Sequence, residues 1–214
     1  MLPRYCSINK MKNCEKKIGI MGGTFDPPHL GHLISAEYVA DELSLNEVVF
    51  VPTGNFSYKD SDETAEAWHR YDMVKLAIAS NPKFSISDIE VKEDEYSYTC
   101  FTLEKIRKIY SNSHIFFIIG ADSLDYIDEW KNPQHIFEQC TVVAVSRTGF
   151  SQNDLYKKRE ELLKKYYADI IILQMPNIQI SSTDIRRRLR ENKSIKYLVD
   201  SDVEAYIKSN NLYK

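Results

Sequence analysis

Residues 22–32 read Gly22-Gly23-Thr24-Phe25-Asp26-Pro27-Pro28-His29-Leu30-Gly31-His32 and follow a short apolar run that ends at Met21. We call them the histidine segment. Paired glycines permit a tight turn after a strand, and the prolines favour a rigid entry into a helix. Because His29 and His32 lie three positions apart, helical spacing puts both imidazoles on one face of the first turn, beside free backbone N–H groups and the positive end of the helix dipole. This pattern predicts a site for a polyphosphate.

Two other interpretations of the histidine pair are open. Each imidazole could cap or pack the start of the helix, without any ligand. The pair could also bind zinc as in a metalloprotease, but that motif needs a glutamate directly after the first histidine, and Leu30 stands there. The strand before the segment and the helix after it favour the phosphate interpretation.

Strand and helix patterns alternate along the rest of the chain. Short β-branched apolar runs predict strands at 17–21, 47–52, 84–89, 114–119, 141–146 and 169–173. Amphipathic stretches predict helices at 30–43, 63–80, 99–110 and 154–167, with two short C-terminal helices at 182–191 and 202–210. This order predicts an α/β fold with a doubly wound parallel sheet, whose ligands bind at the carboxyl ends of the strands.

The same pattern predicts a single domain over residues 16–214, preceded by a loose N-terminal extension at 1–15. Residues 54–63 are polar and lack periodicity, which predicts a mobile loop that could act as a lid.

Composition narrows the class of protein. The chain has 214 residues, 43% of them hydrophobic, which is enough to bury a core. A net charge of −3 leaves no large positive field to hold a nucleic-acid backbone, so no nucleic-acid partner is expected. No apolar run suits a signal peptide or a membrane span, which predicts a cytoplasmic protein without a membrane partner. The four widely spread cysteines, Cys6, Cys14, Cys100 and Cys140, are expected to be reduced thiols. The sequence leaves the oligomeric state open, including a homo-oligomer.

A second segment lies near the C-terminus. Residues 180–186, which we call the serine segment, read Ile180-Ser181-Ser182-Thr183-Asp184-Ile185-Arg186. Ser182 or Thr183 is a suitable N-cap residue for a helix, and the backbone amides of its first turn can bind an anion. Arg186 lies one turn further along the helix, where its guanidinium can donate two hydrogen bonds. Alone, such a sequence is usually just a capped surface helix. We expect Arg187, Arg188 and Arg190 to form a solvated face.

Together the two segments resemble the His-x-Gly-His and Ile-Ser-Ser-Thr-x-Ile-Arg signatures of the nucleotidyltransferase superfamily, whose C-terminal element holds the ATP triphosphate. Middle segments resemble the bacterial nicotinate mononucleotide adenylyltransferases: Ser97-Tyr98-Thr99, Gly120-Ala121-Asp122-Ser123-Leu124 with Trp130 eight residues beyond Asp122, and Arg147-Thr148-Gly149-Phe150. The resemblance implies a Rossmann-like nucleotidyltransferase fold. Its implied reaction joins nicotinate mononucleotide to the AMP part of ATP, giving deamido-NAD and pyrophosphate, with Mg²⁺ delivered by ATP.

The resemblance also implies roles for individual residues. Those expected to be catalytic are His29, His32 and Arg186. Those expected to bind ATP are Gly22, Gly23, Thr24, Phe25, Gly31, Lys59, Gly120, Asp122, Ile180, Ser181, Ser182 and Thr183. Those expected to bind the mononucleotide are Tyr98, Thr99, Trp130 and Arg147. From the residues alone, Asp122 could equally be a helix N-cap and Trp130 a core anchor. Arg70 also matches a family arginine and is expected to order structure.

The chain departs from the family pattern at two places, and three other functions stay open. Phe56-Ser57-Tyr58-Lys59 stands where the family has Pro-Pro-His-Lys, and Phe101 replaces an aspartate. The alternatives are a nicotinamide-specific adenylyltransferase, a phosphopantetheine adenylyltransferase and a non-catalytic nucleotide sensor. The phosphopantetheine enzyme is shorter and has no need of Ser97-Tyr98-Thr99 or Trp130, and decay to a sensor would be expected to damage one of the two signatures.

Overall fold

The structure, a computed structural model, describes residues 16–55, 64–146 and 152–214. Its strands are β1 (Lys16–Gly23), β2 (Glu47–Pro52), β3 (Phe84–Ile86), β4 (Ser113–Gly120), β5 (Thr141–Ser146) and β6 (Ile170–Gln174). They form one parallel sheet in the order β3-β2-β1-β4-β5-β6. This is the strand order of Rossmann-type dinucleotide-binding folds. The predicted fold class is confirmed.

The helices are α1 (Leu30–Glu42), α2 (Ala67–Ile78), α3 (Thr99–Ile109), α4 (Ala121–Leu124), α5 (Pro133–Gln139), α6 (Gln152–Tyr166), α7 (Ser182–Arg190) and α8 (Ser201–Ser209), with a 3-10 turn at Ile127–Glu129. All six predicted helices are confirmed, with small shifts at their ends. Helix α4, the 3-10 turn and helix α5 were not predicted, because elements of three to seven residues are too short to show a 3.6-residue period.

The described residues divide into two compact units. Among the described residues, the first unit comprises 16–20, Val39–Glu47 and Tyr98–Asn177, and the second comprises Met21–Tyr38, Val48–Ser97 and Ile178–Lys214. In the first unit β5 pairs with β4 and with β6, and every residue of β5 is buried. Parallel strands covered on both faces have such uninterrupted apolar runs, which is why β5 was predicted with its observed bounds.

The core of the second unit joins α2 to the C-terminal helices. Its buried residues are Met73, Ala77, Ile185, Ile195, Val199, Val203 and Ile207. Arg70, also on α2, is 2% exposed and donates hydrogen bonds to the carbonyls of Ala65, Thr24 and Gly54. Burial lowers the pKa of its guanidinium, and the charge of Asp26 acts in the opposite direction. Arg70 therefore fixes three loop carbonyls, which confirms its predicted ordering role.

Several predictions fall on residues 1–15, 56–63 and 147–151, outside the described residues. They concern the N-terminal extension, the loop with Phe56-Ser57-Tyr58-Lys59, and Arg147. Whether 16–214 acts as a single domain also stays a prediction. Cys100 and Cys140 are buried thiols. In the described part of the chain, every helix is too short or too polar to cross a bilayer.

Candidate active site

The turn after β1 is held by close packing in the second unit. Phe25 has a φ of 51° and is 3% exposed, and its ring meets the ring of His32 edge-on at 5.0 Å between centroids. A Cβ on Gly23 would lie 3.2 Å from the Phe25 ring, so this glycine leaves room for the aromatic side chain. Gly22 is exposed and Thr24 half-buried. The Phe25 side chain belongs to the core, so the ATP contact predicted for this residue would have to come from its backbone.

The two imidazoles of the histidine segment stack, with centroids 3.6 Å apart and planes at 15°. The backbone N–H of His29 donates to Nδ1 of His32 over 3.2 Å. Because a backbone amide can only donate, Nδ1 accepts, and the proton of the neutral His32 ring is on Nε2. His29 is 4% exposed, and its ring packs against one face of the half-buried His32 ring. A Cβ on Gly31 would lie 3.0 Å from the His29 ring, which explains a glycine there.

The amides at the start of α1 are largely occupied. The N–H of Leu30 donates to the carbonyl of Leu198 at 2.9 Å, and the N–H of His32 donates to the carbonyl of His29 at 2.9 Å. The expectation that free amides surround the histidines is therefore wrong at these two positions, because Leu198, in the segment before α8, accepts from Leu30, and the carbonyl of His29 accepts from His32 within the turn. A contribution of His32 to a ligand has to come from its side chain.

The histidine and serine segments lie against each other. The Ser182 hydroxyl donates to the carbonyl of Pro27 at 2.8 Å, across 155 positions of sequence. Nη1 of Arg186 donates to the carbonyl of Asp26 at 2.7 Å. The prediction that the two segments fold together is confirmed, whereas the roles of their residues in binding and catalysis stay predictions.

Helix α7 is capped one residue earlier than expected. The Ser181 hydroxyl accepts from the N–H of Asp184 at 3.1 Å, and Ser181 has extended backbone angles. The expectation that Ser182 or Thr183 is the N-cap is wrong, because the Ser182 hydroxyl is used on Pro27. Ser181 and Thr183 are exposed, and Ile180 is half-buried.

Arg186 holds its guanidinium against Asp26 through a single nitrogen. Nη1 makes the carbonyl contact and lies 3.4 Å from Oδ2 of the same residue. Nε is buried, and no atom of the described residues accepts a hydrogen bond from it. A buried donor in this state normally acquires an acceptor from water or a ligand. The phosphate oxygen of a nucleotide is an acceptor of the right kind.

Three of the four residues predicted to bind the mononucleotide are described and lie in the first unit: Tyr98 and Thr99 at the start of α3, and Trp130 after the 3-10 turn. Tyr98 is the N-cap residue, and no side chain caps this helix. The Nζ of Lys131 lies 4.0 Å from the centroid of the Tyr98 ring. Trp130 is half-buried, and its ring centroid is 6.3 Å from that of Phe117. Trp130 is thus anchored on buried apolar surface and still accessible, so both interpretations of it remain compatible with the structure.

Comparisons with known proteins agree on one family. The cytidylyltransferase-like family matches residues 20–188. A probable nicotinate-nucleotide adenylyltransferase of Thermoanaerobacter sp. (strain X514) is 41% identical over 201 residues, covering 94% of this chain and 95% of the relative. One of Caldicellulosiruptor bescii is 42% identical over 198 residues, covering 92% and 99%. The chain belongs to the cytidylyltransferase-like family, among the nicotinate-nucleotide adenylyltransferases.

Solved structures place the fold in the same group. The Plasmodium falciparum nicotinic acid mononucleotide adenylyltransferase complexed with NaAD matches with a TM-score of 0.76 at 22% identity, covering 92% of this chain and 97% of that chain. At this identity the match supports the fold alone.

Two residues of this adenylyltransferase went unrecognised as site components in the sequence. Asp26 is 3% exposed, and its Oδ1 accepts from the N–H of Ala65 at 3.1 Å and from the hydroxyl of Tyr213 at 2.6 Å. Tyr213 was not singled out in the sequence. Asp26 was quoted within the histidine segment without a role. No local pattern links them, because they lie 187 positions apart.

Gly120 makes room for the carboxylate of Asp122 at the start of α4. The N-cap of this helix is Gly120, so the alternative of Asp122 as N-cap is wrong. A Cβ on Gly120 would lie 2.3 Å from Oδ1 of Asp122. Asp122 is exposed, and its predicted partners are the ribose hydroxyls of ATP.

Substitution Gly120→Ala is expected to raise KM for ATP about tenfold, because the displaced Asp122 carboxylate would lose the charged hydrogen bond to ribose that is predicted for it. Steady-state kinetics with varied ATP measures this effect. Gly54→Ala is the matched control, since its Cβ would also clash, 2.1 Å from the carbonyl oxygen of Glu90. We expect that control to lower thermal stability without a selective effect on the KM for ATP. An unchanged KM in Gly120→Ala would contradict the assignment of Asp122.

Proposed function

We propose that this enzyme transfers the AMP part of ATP to nicotinate mononucleotide, forming deamido-NAD and pyrophosphate in NAD biosynthesis. The observation that carries the proposal is the joining of the histidine and serine segments through Pro27–Ser182 and Asp26–Arg186. It brings the stacked histidines and an arginine with an unsatisfied buried Nε into one compact unit. The likeness to curated nicotinate-nucleotide adenylyltransferases over more than nine tenths of both chains supports the substrate.

The proposed chemistry is an in-line attack on the α-phosphorus of ATP. An oxygen of the mononucleotide phosphate forms the new P–O bond, and the bond between the α-phosphorus and its oxygen to the β-phosphorus breaks. Pyrophosphate leaves with the electron pair. The attacking phosphate has a second pKa of about 6 and is largely dianionic at pH 7, so no protein base has to remove a proton. Mg²⁺ enters as part of the substrate MgATP and keeps several waters.

Catalysis in this scheme is positioning and charge compensation. The Nε2–H of His32 donates to a phosphate oxygen, and its orientation is fixed by the bond from the His29 amide to Nδ1. Arg186 supplies a charge-assisted donor through Nε. Such preorganised donors act where two anions approach each other and charge builds up on the leaving group. Lys59 and the first-turn amides of Ser182 and Thr183 would add to the same field.

The residues of the first unit fit the organic parts of the substrates. Asp122 is exposed at a helix start beside Gly120, which suits ribose hydroxyls. The uncapped start of α3 offers amide donors to the carboxylate on the pyridine ring, and Trp130 offers an aromatic face. An uncharged nicotinamide would gain less from the helix dipole. This difference favours nicotinate mononucleotide over its amide.

One experiment separates the candidate functions. The purified chain is incubated with MgATP and, separately, with nicotinate mononucleotide, nicotinamide mononucleotide and phosphopantetheine, and the products are weighed by mass spectrometry. We expect deamido-NAD to form well above the other two products. A dominant NAD or dephospho-coenzyme A product would contradict the substrate assignment. No product from any of the three would favour the nucleotide sensor.

A cytoplasmic location remains a prediction of the sequence.

A further inference from the structure

The C-terminal end of the chain is folded back toward the histidine segment. Helix α8 ends at Ser209, after which the N–H of Leu212 donates to the carbonyl of Ile207 at 3.1 Å. The side chains of Leu212 and Tyr213 pack on the core of the second unit. Tyr213 has a φ of 64°, a left-handed conformation that costs free energy for a bulky residue. Such a conformation persists only where surrounding contacts impose it.

The contact that accompanies this conformation is made by the Tyr213 hydroxyl. It donates to Oδ1 of Asp26 at 2.6 Å, while Nη1 of Arg186 lies 3.4 Å from Oδ2 of the same carboxylate. One carboxylate oxygen of Asp26 therefore accepts a hydrogen bond from Tyr213, and the other lies close to the Arg186 guanidinium. Burial, and then the charge of Asp26, raises the pKa of Tyr213, so the hydroxyl remains a donor throughout the working pH range.

We propose that Tyr213 is a positioning residue for the phosphate-binding arginine. Its hydroxyl occupies Oδ1 of Asp26, together with the amide of Ala65, and this oxygen is then not available to a second guanidinium nitrogen. Arg186 stays attached to Asp26 through Nη1 alone, and Nε keeps its capacity to bind phosphate. Without the hydroxyl, the guanidinium of Arg186 rotates and donates from two nitrogens to the two carboxylate oxygens of Asp26, a geometry that arginine favours. This inference rests on the triphosphate role of Arg186 in the proposed function.

The chain contains a matched control for this role. Tyr206 also donates its hydroxyl to an aspartate, Oδ2 of Asp72 at 3.1 Å, and contacts Nδ1 of His69 at 2.9 Å. It lies in the same compact unit and packs on the same core. Substitutions Tyr213→Phe and Tyr206→Phe each delete one hydroxyl bonded to a carboxylate. Only Tyr213→Phe should change how the guanidinium of Arg186 contacts Asp26.

The test is calorimetric titration of MgATP into the full-length chain without any mononucleotide. Tyr213→Phe is expected to raise the Kd for MgATP about tenfold, as the loss of one charged hydrogen bond would. Tyr206→Phe should leave that Kd within about twofold. It should lower Tm about as much as Tyr213→Phe does, because each substitution deletes one hydroxyl bonded to a carboxylate. In an Arg186→Ala background, Tyr213→Phe should cause no further loss of affinity, because the hydroxyl acts through the arginine.

Equal Kd values for Tyr213→Phe and the unsubstituted chain would overturn the inference. An additive loss in the Arg186→Ala background would overturn it as well. These results are distinguishable from failure of the proposed function, which would appear as normal MgATP binding with no transfer to nicotinate mononucleotide. Failure of the unsubstituted chain to bind MgATP would overturn both.

Discussion

Substitution His32→Ala is expected to lower kcat for deamido-NAD formation about a hundredfold, a loss of about 3 kcal/mol of transition-state stabilisation. The reason is specific to one atom. Nδ1 is engaged by the His29 amide, so the ring presents Nε2–H to the phosphates in a fixed direction. Continuous measurement of pyrophosphate release, with both substrates saturating, gives this value.

His135→Ala serves as the control for His32. His135 lies on α5 in the first unit, beside Glu104 and Glu138, and its side chain is 33% exposed. We expect its kcat to stay within about twofold of the unsubstituted enzyme, as for an exposed ion pair of small energetic weight. A His32→Ala enzyme with unchanged kcat would contradict the electrostatic role of the histidine segment.

Arg186→Lys is expected to lower kcat/KM for ATP about a hundredfold, although it preserves the charge, because the loss of a preorganised donor to developing charge has that magnitude. The arginine uses Nη1 on the Asp26 carbonyl and has Nε left over, whereas a lysine ammonium is a single point of contact. The lysine would be drawn to Asp26. Steady-state kinetics at saturating mononucleotide measures the effect.

The control for Arg186 is Arg187→Ala on the same helix. Arg187 is exposed and pairs with Asp184 and Glu191 along the surface of α7. An exposed pair of this kind contributes little, so kcat/KM should stay within about twofold. Full activity in Arg186→Lys would show that charge alone suffices and would contradict a phosphate-binding role for Nε of Arg186.

The fold was predictable where the sequence carries strong periodicity. Strands β2 and β5 were predicted with their observed bounds, since each is a nearly unbroken apolar run between polar residues. The third strand was predicted at 84–89 but ends at Ile86, and all three of its residues are only half-buried. The C-terminal α7 was predicted to within one residue, because serine and aspartate at its start are strong helix-start signals.

The candidate site was predictable in its segments and less so in its contacts. Paired histidines and the Ser-Ser-Thr turn are local patterns, and both can be read from the chain. The choice of Ser181 over Ser182 as N-cap depends on Pro27, 155 positions from Ser182, and the Leu30 amide is taken by Leu198. The bond from Tyr213 to Asp26 is likewise a tertiary contact. Pairings of this kind arise only from the folded core that brings them together.

The proposed mechanism requires the histidine and serine segments to bind the same triphosphate. A crystal structure of the chain with Mg²⁺ and a non-hydrolysable ATP analogue tests this requirement. We predict phosphate oxygens within hydrogen-bond distance of both Nε2 of His32 and Nε of Arg186. A triphosphate bound to only one of these atoms, or bound elsewhere on the chain, would contradict the account.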